Sequence, residues 1–173
     1  SLANHNYGFA QAYDDFRLWD RALAAQEVAN LYSSTQTLED GMVAKYALDY
    51  DANDSVGSSN GTVTNATFSA TGNKRQAVFD GSGDYITIPY NANRNFGTGD
   101  FAFSFWINPV SASHGNQGTI ISTSYTNIDL YYNNNQLVAY MGGTSNAART
   151  TTSAITEGSW QHVVLTRTGG QTK

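Results

Sequence analysis

From residue 42 to residue 168 the chain is a succession of short apolar runs broken by Gly, Asn and Ser, and no stretch there keeps a helical repeat. Single strands of this length cannot bury an apolar face alone, so the pattern demands sheets stacked on a shared core. The runs are 42–48, 77–80, 85–89, 100–109, 119–123, 128–132, 136–141 and 160–168. Gly81-Ser82-Gly83 separates the second from the third. Asn133-Asn134-Asn135 joins 128–132 to 136–141 as a hairpin, because Asn tolerates the positive φ such turns need. Phe101, Phe103, Phe105 and Trp106 on one run, and Trp160 before another, read as interior residues. The expected fold class is all-β, a jelly-roll β-sandwich with one short α-helix.

The helix lies near the start. Residues 20–33 carry strong helix formers, a possible N-cap at Asp20, and Leu23, Val28, Leu31 and Tyr32 near one side. Before it, 13–19 alternates as a strand, with Asp14, Phe16 and Leu18 on one face and Tyr13, Asp15, Arg17 and Trp19 on the other. A polar stretch, 35–41, connects the helix to the first of the later runs.

Composition narrows the functional classes. The 173 residues are 40% hydrophobic, enough for one sandwich-sized core, but only 13% charged, with a net charge of −5. That balance excludes a coiled coil and a nucleic-acid binder working by phosphate neutralisation. No run of eighteen apolar residues exists to span a membrane. Ser1 opens no basic-then-apolar leader, and the absence of Cys excludes disulfides and thiolate chemistry. A low-charge, Thr/Asn/Gly-rich β chain suits an extracellular or cell-surface setting.

Catalysis finds little support. Only Glu27, Glu39 and Glu157 are present, and none sits in a motif that pairs an acid with a nucleophile on one strand face. Asp14 and Asp15, as neighbours on a strand, are expected to point to opposite faces. His5, His114 and His162 are scattered, and His162 reads as a hydrogen-bonded structural residue. The chain is expected to be no enzyme.

Three binding or modification sites suggest themselves. The loop Asp49-Tyr50-Asp51-Ala52-Asn53-Asp54-Ser55 gathers carboxylates and an amide oxygen, the donor set a hard cation such as calcium takes. Asp14, on an otherwise apolar face, needs a cation or N–H donors, and the plain alternative is that these Asp residues organise turns. Tyr125, Asn127, Asp129, Tyr131, Tyr132 and Asn133 combine flat rings with hydrogen-bonding groups, as sugar sites do, although cross-strand packing explains such tyrosines equally well. Asn53, Asn60 and Asn65 each begin an N-x-S/T sequon and are glycosylation candidates.

Two stretches resemble the laminin-G-like branch of the concanavalin A-like lectin/glucanase jelly rolls. Asp14-Asp15-Phe16-Arg17-Leu18-Trp19-Asp20-Arg21-Ala22-Leu23, followed by Glu27-Val28 and Leu31-Tyr32, is similar to the family's closing strand and helix. Ala24 stands where the family usually has a Ser or Thr helix cap. Met42-Val43-Ala44-Lys45-Tyr46, Asp54-Ser55-Val56-Gly57, Val78-Phe79-Asp80-Gly81-Ser82-Gly83-Asp84-Tyr85-Ile86, Phe103-Ser104-Phe105-Trp106-Ile107 and Trp160-Gln161-His162-Val163 are similar to its opening strands and loops. The resemblance implies a structural Ca2+ held by Asp54 and Asp14, and less securely by Asp51.

It also implies an unusual order, since the closing segment comes first. The chain thus divides into 1–34, a closing strand plus helix; 35–41, a connector; and 42–173, the opening strands of a jelly roll. Residues 1–34 are expected either to fold back as a permutation, to complete a neighbouring copy or module, or to belong to a fragment cut at both ends. The second option leads to the functional expectation: a non-catalytic structural or adhesive module that joins copies of itself head to tail, through 1–34 and the open sandwich edge, into a calcium-stabilised filament. The competing expectation is a carbohydrate-binding, lectin-like module of a secreted enzyme or adhesin. Partners are copies of itself or glycans, not nucleic acid, and there is no membrane insertion.

Overall fold

Alternation of apolar and polar residues turns the runs into strands, and antiparallel pairing assembles them. A computed structural model describes residues 10–33, 38–111, 117–123, 128–141, 147–150, 154–169 and 171–172. The first half contains β1 (Ala10–Trp19), α1 (Ala25–Ser33), β2 (Met42–Tyr46), β3 (Thr62–Thr64), β4 (Thr67–Thr71), β5 (Lys74–Asp80) and β6 (Tyr85–Thr87). The second contains β7 (Phe101–Ser111), β8 (Gln117–Ser122), β9 (Ile128–Asn133), β10 (Gln136–Met141), β11 (Ala147–Arg149), β12 (Gln161–Thr168) and β13 (Gln171–Thr172). A seven-stranded sheet runs β13-β12-β7-β1-β5-β4, with β2 also on β1. A four-stranded sheet, β11-β10-β9-β8, and the pair β3-β6 complete an all-β sandwich.

One core joins these sheets. Tyr13, Phe16 and Leu18 of β1 meet Phe101, Phe103, Phe105 and Ile107 of β7, Leu130 and Tyr132 of β9, and Leu137 of β10. Phe16 stacks obliquely on Tyr46, Phe103 and Phe105 with ring centroids about 6 Å apart. A second, smaller cluster lies on the outer side of the seven-stranded sheet, where Leu23 and Leu31 flank Trp19 and Ala102. Helix α1 covers that part of the sheet.

Several expectations change. The strand of residues 1–34 finds its partners within the chain: β1 pairs with β7 along one edge and with β5 and then β2 along the other. The physical reason is the short return. The Asp20 N–H donates to Gly41 O, so the excursion through α1 comes straight back as β2 beside β1. Both edges of β1 are therefore used within its own chain.

Helix α1 starts at Ala25, five residues later than expected. Ala24, not Asp20, stands at its N-terminus, and Glu27 reaches back to accept from the Ala24 N–H while pairing with Arg21. This is half of a capping box, with Ala lacking the hydroxyl half. The runs 77–80 and 85–89 flank a turn but do not pair, since β5 joins the large sheet and β6 pairs with β3. The hairpin β9–β10 forms as expected, with Asn134 and Asn135 at φ 48° and 62°.

Candidate binding face

At Asp14-Asp15 strand β1 carries a bulge. Asp15 has φ 51° and its N–H donates to Ala47 O, while the register with β7 shifts between Asp14 and Arg17. The extra residue resets the alternation, so Tyr13 and Phe16 both point inward. Asp14 is thereby placed opposite Trp106 on the outer face, not on the apolar inner face expected for it.

The same alternation governs β7. With Phe101, Phe103, Phe105 and Ile107 inside, Trp106 must face outward, where it is only partly buried. It does not fill the interior as its aromatic run suggested. Its cross-strand partner on β12 is His162, with ring centroids 5.1 Å apart. Tyr32, at the end of α1 and 64% exposed, stacks on Trp106 at 5.8 Å and 27° and lies 6.2 Å from His162. Where the helix stops covering the sheet, an aromatic platform begins.

Polar groups border it. The His162 Nε2 and Ser104 Oγ are 2.8 Å apart, which makes His162 the hydrogen-bonded residue expected, and burial lowers its pKa. Ser104 is 2% exposed, so the pair orients a ring and offers no accessible nucleophile. Arg17 grips Asp15 with two guanidinium nitrogens. Lys74 Nζ lies 5.2 Å from the Trp106 ring centroid. Burial, then the carboxylates of Asp15 and Asp49, push the Asp14 pKa up to about 6, against the pull of Lys74.

The implied calcium ligands are not brought together. Asp54 is buried, and its carboxylate accepts from the N–H groups of Lys45, Val56, Gly57 and Ser59, with Arg94 4.0 Å away. A cation needs those lone pairs, and donors already hold them. This explains Asp54-Ser55-Val56-Gly57 as a loop lock: a Cβ on Gly57 would fall 2.5 Å from Asp54 Oδ2. Asp51 accepts from the Asn53 N–H and side-chain amide, and Asp14 sits in the outer-face cluster with Asp49 and Lys74. Among the described residues no three carboxylates or histidines are grouped to hold a metal. These residues do not fit the implied ion.

The tyrosine hairpin divides along its alternation. Tyr132 is 1% exposed and belongs to the core, its hydroxyl within hydrogen-bond reach of Asn135 Oδ1 and Glu157 Oε1, so it cannot meet a ligand. Asp129, Tyr131 and Asn133 face outward, and Tyr131 packs edge-on against Tyr140 at 5.9 Å, the cross-strand alternative. Tyr125 and Asn127 lie outside the described residues. The sequon residues Asn53, Asn60 and Asn65 are all exposed.

A laminin-G-type family model, described as the concanavalin A-like lectin/glucanases superfamily, matches residues 80–173, more than half of the chain. The chain belongs to that superfamily and is a module of the lectin and adhesion type. No curated protein and no solved structure matches it. Among the described residues no helix is long and apolar enough to cross a membrane.

Proposed function

We propose that the chain is a non-catalytic, extracellular carbohydrate-binding module that holds its ligand on the outer face of the seven-stranded sheet. The observation carrying this reading is the platform of Tyr32 and Trp106, two rings stacked at 5.8 Å and only partly covered, with His162 beside them. Pyranose rings present apolar C–H faces that stack on such surfaces, while charged and amide groups at the border receive the hydroxyls. Here the border is Asp14, Asp15, Arg17 and Lys74.

Self-assembly by donation of 1–34 is not part of this reading, because β1 is paired along both edges. The test is a glycan array probed with the wild-type module and with Trp106→Ala and Tyr131→Ala variants. Binding lost in Trp106→Ala and kept in Tyr131→Ala supports the outer face; a wild-type module that binds nothing, or the reverse pattern of losses, contradicts it.

A further inference from the structure

The charge on this face is unbalanced in a particular way. Asp15 is matched by Arg17. Asp14 then faces Lys74, which among the described residues makes no ion pair within 4.0 Å, while nearby Asp49 accepts from Arg75 Nε through its backbone carbonyl at 3.1 Å. The Lys74 ammonium, exposed and on a flexible stem, instead lies over the Trp106 ring, next to the carboxylate that pairs in register with that tryptophan. A positive group over an aromatic face and beside surplus carboxylates is how a ligand ammonium is held. The chain's own lysine occupies that place.

Resting on the glycan reading above, we propose that the ligand class is an amine-bearing glycan of the glucosamine type, whose ammonium replaces Lys74 Nζ over Trp106 and beside Asp14. The hydroxyls and ring of the sugar spread over Tyr32, while the ammonium supplies a positive charge beside Asp14. Burial first, and then the carboxylates of Asp15 and Asp49, disfavour the ionised form of Asp14, and a second cation beside it relieves that setting. A net charge of −5 also favours encounter with a polycation.

The experiment is calorimetric titration of the whole chain, at neutral pH and low salt, with glucosamine oligomers and with N-acetylglucosamine oligomers of the same length. One cation–π contact and one exposed ion pair predict a preference for the amine on the order of tenfold, fading as salt is added. Lys74→Ala removes the competitor and is expected to tighten amine binding about threefold. Asp14→Asn is expected to abolish the preference and leave acetylated binding unchanged; Asp49→Asn, reducing it in part, serves if the first variant does not fold. Equal affinity for the two oligomers, a preference for the acetylated one, or a salt-independent preference overturns the assignment. If neither oligomer binds while the array returns another glycan, this inference fails and the glycan reading stands. If the array returns none, both fail.

Discussion

On β7 the two sides of one strand behave differently. Phe101, Phe103 and Phe105 are at most 4% exposed and pack against Phe16, Tyr13 and Phe96, in edge-to-face, tilted and stacked contacts. Trp106, one residue further on, meets Tyr32, His162 and Lys74 on the outer face and is only partly buried. Both sides are aromatic, but the inner rings are surrounded by carbon while the outer ring is bordered by charge. A ring packed on all sides holds sheets together, and a ring with an open face and ionic neighbours is available to a ligand.

The hairpin β9–β10 makes the same point in reverse. Its outward Tyr131 leans on Tyr140, so the ring that sequence offers to a sugar is spent on its neighbour.

The sharpest way to break this contrast is to remove the inner ring. Phe105→Ala is expected to cost about 3–5 kcal/mol in a denaturant melt, the usual loss for a buried phenyl. Trp106→Ala should cost far less stability, yet remove glycan binding. If the two variants melt alike, the division between the faces is wrong.

Next in size comes the loop lock. Asp54→Ala strands several backbone N–H groups and is expected to lose about 3 kcal/mol without altering ligand affinity. Gly57→Ala, which drives a Cβ into that carboxylate, should resemble it; chemical denaturation with a parallel binding isotherm checks both.

A smaller effect belongs to pH. The folded-state pKa of Asp14 is raised, so the native chain holds a proton that the unfolded chain releases earlier. Its contribution is therefore favourable at low pH and declines as pH rises from about 4 to about 6. Thermal melts across that range should flatten in Asp14→Asn; an unchanged slope would remove Asp14 as its source. The smallest effect is Tyr131→Ala, for which no change in glycan affinity is expected by calorimetry.

Much of the fold was readable because alternation and turn chemistry are local. The Asn134-Asn135 turn, helix α1 and the strands from β7 to β10 follow from residues close in sequence. The site was not, because one non-glycine residue at positive φ, Asp15, shifts the phase of β1. Strict alternation put Asp14 inside and suggested a buried cation; the bulge puts it beside Trp106. Trp106 reads as interior with the rest of its aromatic run, although Phe105 and Trp106, as neighbours on one strand, cannot both face inward. Tyr32 and Lys74 meet Trp106 through pairings distant in sequence, which no local pattern announces.

The most direct measurement follows the three tryptophan indole N–H signals, from Trp19, Trp106 and Trp160, by NMR while glucosamine oligomers are added. The Trp106 signal should move in step with Tyr32 ring resonances, while buried Trp19 and the Tyr131 ring stay put. Saturable shifts confined to Asp129, Tyr131 and Asn133, with Trp106 unmoved, would assign the ligand to the opposite sheet.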